Sequence, residues 1–305
     1  MSLAGGPQQI HGIGGRSQGA DEHARERIAQ MRERARAGGD AGFSAAGARS
    51  PRPVKMRGTS GEGHSTPGLL ALVGGDEFNP GNEEQDRVLA SAARAGPAFV
   101  VPTAAARQEP DRSVAHAMRW FKQFGLELQE LPVLKRKDAE SAALAEQARS
   151  GGFFYLVGGD PGIVAQVLRG SAVWRAMFQA WRDGASLAGS SAGAMALCSH
   201  SLVRASWPNR FNRRPIDALG LVPKTAVLPH FETFGHRWVE SAQAAQPGLT
   251  LLGVDERSAA LWTNDGWQAL GPGSVTVIKG SKTTHYASGS KVSGISGPVR
   301  MLPSQ

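Results

Sequence analysis

The segment Gly189-Ser190-Ser191-Ala192-Gly193 fits the pattern G-x-S-x-G, and it falls where the strand-like run Ser-Leu-Ala turns into the helix-forming stretch Ala-Gly-Ala-Met-Ala-Leu. A serine on a sharp strand-to-helix turn presents its hydroxyl outward, so the pattern points to a nucleophile for a carbonyl carbon. Such a turn needs small neighbours, and Gly189, Ala192, Gly193 and Ala194 supply them. The amide of Ala192 would then sit at a helix N-terminus, placed to donate to a developing oxyanion. Ser190 lacks the central place in the pattern. The plain alternative is a glycine-rich turn with an incidental serine. Cys198, about two turns into the same predicted helix, reads as core.

A serine needs a base, and near neutral pH that favours histidine. His11, His23 and His64 lie in an N-terminal tail, His116 on an early helix, and His200 on the predicted helix of the nucleophile, turned away from it. His230 follows the apolar run Thr-Ala-Val-Leu-Pro and so stands at the carboxyl end of a strand, which makes it the expected base, with His236 its rival. Read with Glu232, the two histidines could suggest a metal site, but the spacing is not H-E-x-x-H and other ligands are lacking nearby. For the carboxylate that orients the imidazole, Glu256 is the first choice and Asp255 the second, both directly after the apolar run Leu-Leu-Gly-Val. Asp217 would instead give the order serine, aspartate, histidine of α/β-hydrolases. The motif L-V-G-G-D occurs at 72–76 and again at 156–160. The second copy is the better source of an oxyanion or substrate contact, through the amide of Gly159 or Asp160. Neither copy is a P-loop, because no G-K-[ST] follows. Arg204, Arg210, Arg213 and Arg214 read either as an acid-binding loop or, the reading favoured here, as a solvated one.

These residues have to be positioned by a scaffold, and the chain spells one out from residue 69. Short apolar runs at 69–73, 98–101, 126–131, 153–157 and 186–188 alternate with amphipathic stretches at 82–95, 113–124, 139–148 and 162–181. That alternation predicts an α/β fold, a mostly parallel sheet flanked by helices. Further strands are expected at 226–228, 251–254, 259–263, 266–270 and 275–278, with an Asn-Asp-Gly turn at 264–266 marking an antiparallel edge. In an open parallel sheet ligands lie beyond the carboxyl ends of the strands, where every candidate above falls.

Composition bounds the rest. With 305 residues and 41% hydrophobic content the chain can bury one large core. Residues 1–66 carry ten basic residues against six acidic, half of the net charge of +8, and are rich in Gly, Ala, Arg and Ser. They are expected to be a disordered extension with one exposed helix over 20–37, and translation could begin at Met56. The expected catalytic domain is 67–287 and the expected loose tail 288–305. Nucleic acid is not the expected partner, since only the basic tail would serve it. A single cysteine excludes an internal disulfide and suits a reducing cytoplasm. No apolar run approaches a membrane span, and the N-terminus lacks the apolar stretch of a secretory signal.

Together, Gly158-Gly159-Asp160, Gly189-Ser190-Ser191-Ala192-Gly193-Ala194, Leu228-Pro229-His230-Phe231 and Gly253-Val254-Asp255-Glu256 resemble the dipeptidase E and cyanophycinase family of serine peptidases, over roughly residues 68–280. The resemblance implies a class I glutamine amidotransferase-like (flavodoxin-like) fold and a serine, histidine, glutamate triad that maps onto Ser191, His230 and Glu256. It also implies no metal or organic cofactor, and small peptide substrates with acidic residues or isopeptide links. Members that cleave cyanophycin carry glutamine after G-G-D, where this chain has Pro161. A homo-oligomer is left open. Two other functions compete with this one: an α/β-hydrolase-type esterase using Asp217, and a non-catalytic ligand-binding protein on an amidotransferase-like scaffold.

Overall fold

The structure, a computed structural model, describes residues 66–205 and 212–302. In chain order they form β1 (Leu70–Val73), α1 (Glu83–Ser91), β2 (Ala98–Val101), a 3-10 turn (Thr103–Ala105), α2 (Pro110–Lys122), β3 (Leu128–Glu130), α3 (Arg136–Ala139), α4 (Ala142–Ser150) and β4 (Phe153–Leu156). There follow α5 (Pro161–Leu168), α6 (Ala172–Arg182), β5 (Ser186–Ser190), α7 (Ala192–Leu197), β6 (His200–Arg204), β7 (Arg213–Asp217), β8 (Thr225–Leu228), a second 3-10 turn (Gly235–Trp238) and α8 (Val239–Ala245). The chain ends in β9 (Thr250–Val254), β10 (Ala259–Thr263), β11 (Gly266–Leu270), β12 (Ser274–Lys279), β13 (Lys282–Ala287) and β14 (Lys291–Val292). The expectations for the tail, including the helix over 20–37, a start at Met56, and His11, His23 and His64, lie outside the described residues, as does Arg210.

Strands such as Leu-Ala-Leu-Val in β1 and Phe-Phe-Tyr-Leu in β4 are apolar throughout because both faces are covered. Alternate residues go to opposite sides. Leu70, Leu72, Phe99, Val101, Phe154, Leu156 and Leu187 pack with Val164, Leu168, Trp174 and Trp181 of α5 and α6. On the other face Ala71, Val73, Val100, Phe153, Tyr155 and Ala188 meet Leu89 of α1 and Val114, Trp120 and Phe121 of α2. The main sheet has eight strands in the order β14-β11-β10-β1-β5-β4-β2-β3. It is parallel from β1 through β5, β4 and β2 to β3, and antiparallel beyond β1 on the other side. The α/β architecture of the sequence reading is the one observed.

Several details differ from that reading. The expected helix over 162–181 is two helices: Gly170 takes φ 65° and the Ser171 hydroxyl caps α6 by accepting from Trp174 N at 3.1 Å, so the chain restarts instead of continuing. The stretch 139–148 likewise spans the end of α3 and a new start at α4, capped by Ser141. The nucleophile helix stops at Leu197, because Cys198 is already extended (φ −80°, ψ 178°). His200 therefore begins a strand, and β6 and β7 form a two-stranded hairpin that periodicity did not reveal. Strands β8, β9, β12 and β13 leave the main sheet for a second one, ordered β13-β12-β9-β8. An apolar strand announces its own conformation but not its partner. Residues 288–302 are not loose. Strand β14 pairs with β11, Trp267 Nε1 donates to Ser296 O at 3.0 Å, Val299 N donates to Leu221 O at 2.8 Å, and Ile295, Val299 and Leu302 pack on the core. Among the described residues no helix is long and apolar enough to cross a membrane.

One buried acid joins the helices on the α1–α2 face. Asp86, with no exposed surface, accepts from Trp120 Nε1 at 2.7 Å. Burial, reinforced by the nearby Glu77 and Glu83 and opposed by that hydrogen bond, pushes its carboxyl from the ordinary 3.8 up to about 8. An acid whose folded value is raised contributes stability that is complete below the unfolded value and is lost as pH rises toward the folded one. Between about pH 4 and pH 8 the group should cost about 1.4 kcal/mol of stability per pH unit. Asp86→Asn keeps an acceptor for Trp120 and removes the titration. Urea unfolding at pH 5 and pH 8 should show a stability decline for the native chain that is much flatter in Asp86→Asn; parallel declines would refute the assignment.

Candidate active site

Ser191 is the single residue between β5 and α7, and it adopts φ 48° and ψ −110°, a conformation that costs on the order of 1–3 kcal/mol for a residue with a Cβ. The turn is fixed from both sides: Ser191 N donates to Val73 O at 3.0 Å and Ser191 O accepts from Met195 N at 2.9 Å. The two glycines of the motif make the tight entry into α7 feasible. A Cβ on Gly193 would stand 2.3 Å from Leu156 O, and one on Gly189 would stand 2.6 Å from the Gly193 carbonyl.

His230 and Glu256 reach this serine from the second sheet. His230 follows β8 with φ 49° and donates its N–H to Gly74 O at 2.7 Å. Its Nε2 lies 3.2 Å from Ser191 Oγ, and its Nδ1 lies 2.7 Å from Glu256 Oε1. A carboxylate only accepts, which assigns the ring proton to Nδ1 and leaves the Nε2 lone pair facing the serine hydroxyl. The imidazole sits in a slot. Phe234 stacks on it with centroids 4.9 Å apart and planes 21° apart, and Gly75 also lies against the ring, where a Cβ would come within 2.3 to 2.8 Å of ring atoms. Gly75 belongs to the first L-V-G-G-D copy, to which the sequence reading gave no role. Glu256 is held in turn by its own amide, which donates to both oxygens of Glu232 at 3.0 and 3.1 Å. Burial, with the charge of Asp255 adding to it, raises the Glu232 carboxyl above its usual value, against the lowering effect of its backbone hydrogen bonds.

The loop after β4 leaves one amide over. Val157 N donates to Val101 O, Gly158 N to Glu77 Oε1 at 2.7 Å, and Asp160 N to Ala104 O at 2.9 Å. Among the described residues no acceptor is found for the amide of Gly159, nor for that of Ala192 across the cleft. This corrects the expectation for Asp160. Its amide is spent on Ala104 and its carboxylate caps α5, accepting from Gly162 N and Ile163 N, so it shapes the loop and offers no oxyanion donor. Ser191, Ala192, Gly159, His230, Phe234 and Trp238 line a cleft of about 840 Å³. With a serine hydroxyl against an imidazole, a carboxylate behind it and two amides alongside, the arrangement can perform acyl transfer.

The rival residues are elsewhere. Asp255 accepts from Ser274 N and Ser274 Oγ, both at 2.8 Å, and is buried away from the imidazole. Asp217 pairs with Arg169 at 3.0 Å, and with His200 it lines a separate cavity of about 620 Å³. His236 Nδ1 meets Phe231 O at 2.9 Å, so its ring and that of His230 serve different partners. His116 packs edge-on against Phe78. Ser190 is fully buried, its hydroxyl donating to Glu77 Oε2 at 2.8 Å. Arg204 and Arg213 face each other as the last pair of the β6–β7 ladder and line the cleft, with Arg213 4.1 Å above the Trp238 ring; Arg204 and Arg214 are exposed. The sequence reading missed Glu77, Gly75, Phe234 and the hairpin. For Gly75 a signal was present in the repeat of L-V-G-G-D at two strand ends.

Known proteins share this arrangement of segments. A family model, that of Peptidase family S51, matches residues 69–270. The cyanophycinase of Trichormus variabilis is 31% identical over 228 residues, covering 72% of this chain and 76% of that protein. The cyanophycinase of Synechococcus elongatus is 28% identical over 244 residues, covering 77% of this chain and 75% of that protein. Among solved structures, a peptidase from an acI-B1 Actinobacterium superposes with a TM-score of 0.66 at 29% identity, covering 76% of this chain and 98% of that one.

The slot around His230 is directly testable. Gly75→Ala places a methyl against the ring at a backbone φ of 126°, so the imidazole must shift. Reaction of the serine with a fluorophosphonate should slow about 100-fold, the loss expected when a reacting group is misplaced by about 1 Å. Overpacking should lower stability by about 1–3 kcal/mol. A native labelling rate in Gly75→Ala would show that the ring is not held there.

Proposed function

The chain belongs to peptidase family S51, and we propose that it hydrolyses short peptides, acidic dipeptides or isopeptides, through an acyl-enzyme on Ser191. It is a hydrolase of the serine peptidase type; the residues and the substrate class are the proposal. The observation that carries it is the unbroken path from Ser191 Oγ through the His230 ring to Glu256, at 3.2 and 2.7 Å. Ser191 Oγ attacks the scissile carbonyl carbon and gives its proton to His230 Nε2. The amides of Gly159 and Ala192 stabilise the oxyanion. The C–N bond then breaks as His230 passes the proton to the leaving amine. A water deprotonated by His230 attacks the ester, releasing the acid product and restoring the serine, while Glu256 holds Nδ1–H and balances the transient imidazolium.

The arginines support the acidic preference. Burial, and then the charge of Arg204, holds the Arg213 guanidinium below its ordinary value. Arg204 and Arg213 line this wall of the cleft and add positive charge to it, which attracts an acidic side chain. Pro161, the first residue of α5 and part of the cleft wall, stands where the resemblance puts glutamine in enzymes that cleave cyanophycin, which favours a substrate other than that polymer. The lone thiol, Cys198, is buried, and burial pushes its ionisation well above the ordinary range, so it is no rival nucleophile.

Fluorophosphonate labelling should map to Ser191 and vanish in His230→Ala. On an aspartyl dipeptide, Ser191→Ala should lose at least about 10⁴-fold in kcat, and Glu256→Gln about 10²- to 10⁴-fold, with Asp217→Asn unchanged. Loss in Asp217→Asn with full activity in Glu256→Gln would favour the esterase reading instead. Arg213→Gln should raise KM for the aspartyl dipeptide about tenfold or more while leaving an alanyl dipeptide unaffected; equal effects on both would remove the argument for acidic substrates.

A further inference from the structure

Glu77 lies in the loop after β1, and its carboxylate reaches across β5 to the loop after β4. One oxygen accepts from Gly158 N at 2.7 Å and the other from the buried Ser190 hydroxyl at 2.8 Å. Its two partners are the immediate neighbours of the residues to which the acyl-transfer reading assigns chemistry: Gly158 precedes Gly159, and Ser190 precedes Ser191. We infer that Glu77 is a positioning residue, a clamp that fixes the oxyanion loop and the nucleophile turn relative to each other; this inference rests on the serine peptidase reading above.

The geometry of the loop argues that Glu77 is aimed and does not merely happen to fit. Both flanking residues adopt left-handed backbone, Asp76 at φ 53° and Phe78 at φ 60°, although neither is glycine. Such strain persists only where surrounding contacts over-determine it. Asp76 is tied by Arg257 at 2.5 Å and by Asn79 at 2.8 Å, and Phe78 is buried against Tyr155 at 4.9 Å between centroids. With 77 fixed on both sides and both carboxylate oxygens engaged, the Gly158 peptide has one orientation. Because Asp160 N is held by Ala104 O, the Gly159 N–H between them has its direction set as well. A Cβ on Gly158 would meet Glu77 Oε1 at 2.9 Å and Ser191 Cβ at 3.4 Å, which shows how closely the clamp stands behind the nucleophile. The clamp also accounts for a serine at 190, where the motif accepts any small residue: its hydroxyl supplies the second attachment.

The test uses the full chain and a fluorophosphonate, whose reaction with Ser191 needs the oxyanion donors but no knowledge of the substrate. Glu77→Ala should label about 100-fold more slowly, the scale of losing one oxyanion donor. Glu77→Gln should stay within about tenfold of native, since its amide oxygen still accepts from Gly158 N and its NH₂ can donate to the serine hydroxyl. Ser190→Ala should slow labelling about tenfold. The midpoint of the pH profile should not move in any variant, because the clamp does not touch His230. On an aspartyl dipeptide the loss should fall on kcat, with KM within about twofold. If folded Glu77→Ala and Ser190→Ala label at the native rate, or Glu77→Gln is as slow as Glu77→Ala, the clamp is refuted. Should Glu77→Ala not fold, Ser190→Ala alone decides, because it removes a single hydroxyl. Failure of the native chain to label at Ser191, or labelling unaffected in His230→Ala, would instead overturn the serine peptidase reading itself.

Discussion

The hydrogen bond from His230 N–H to the Gly74 carbonyl, 2.7 Å long, is the constraint on which the site depends. Ser191 follows a strand of the main sheet, whereas His230 and Glu256 follow strands of the second; β10 carries the chain from Glu256 back onto β1, but no ladder bond ties the His230 loop to the main sheet. The turn after β1 does. Its Gly74 amide donates to Ser258 O, its Gly74 carbonyl receives His230 N, and its Gly75 carbonyl receives Arg257 N. Three backbone bonds thus join the loops after β8 and β9 to the strand beside the nucleophile. Backbone bonds in a partly buried loop are rigid anchors, because breaking one leaves a polar group without water to replace it.

Strain is concentrated at the same place. Of the non-glycine residues with left-handed φ among the described residues, Asp76, Phe78, Ser191, His230 and Arg257 all belong to the loops that meet here, and only Glu109 and Lys224 do not. Each costs free energy that the packed faces of the main sheet must offset. Such turns persist only where surrounding contacts over-determine them, and those contacts also hold the side chains the turns carry. That is the preorganisation which acyl transfer requires of an oxyanion hole and a base.

How much of this was legible follows from what local sequence encodes. That Ser191 and His230 would meet was readable because each stands at the end of an apolar run and strand ends in a parallel sheet converge, whereas Glu256 stayed open against its neighbour Asp255 and against Asp217. The order of the central β-α repeats was readable from alternating period. The partners were not: β8, β9 and β12 look like further strands of one sheet, and only long-range packing assigns them to another. The helix after Ser191 was read too long because Ala-Met-Ala-Leu-Cys is apolar and helix-prone, while tertiary pairing pulls His200 into a strand. Asp160 was misjudged because its amide, directly before α5, looks free in the sequence, whereas a long-range bond spends it on Ala104 O. Glu77 and Gly75 were hidden by the distance in sequence, since their partners lie 81 or more residues away.

The β6–β7 hairpin shares no strand with either sheet, yet the last pair of its ladder, Arg204 and Arg213, lines the cleft. The arginines of the cleft wall therefore stand on a support separate from those of Ser191, His230 and Glu256. The hairpin still touches the imidazole slot, because Arg213 lies on the Trp238 ring and Trp238 packs on Phe234 at 5.5 Å between centroids. An insertion between β6 and β7 would nevertheless lengthen a segment that neither sheet needs for its own pairing.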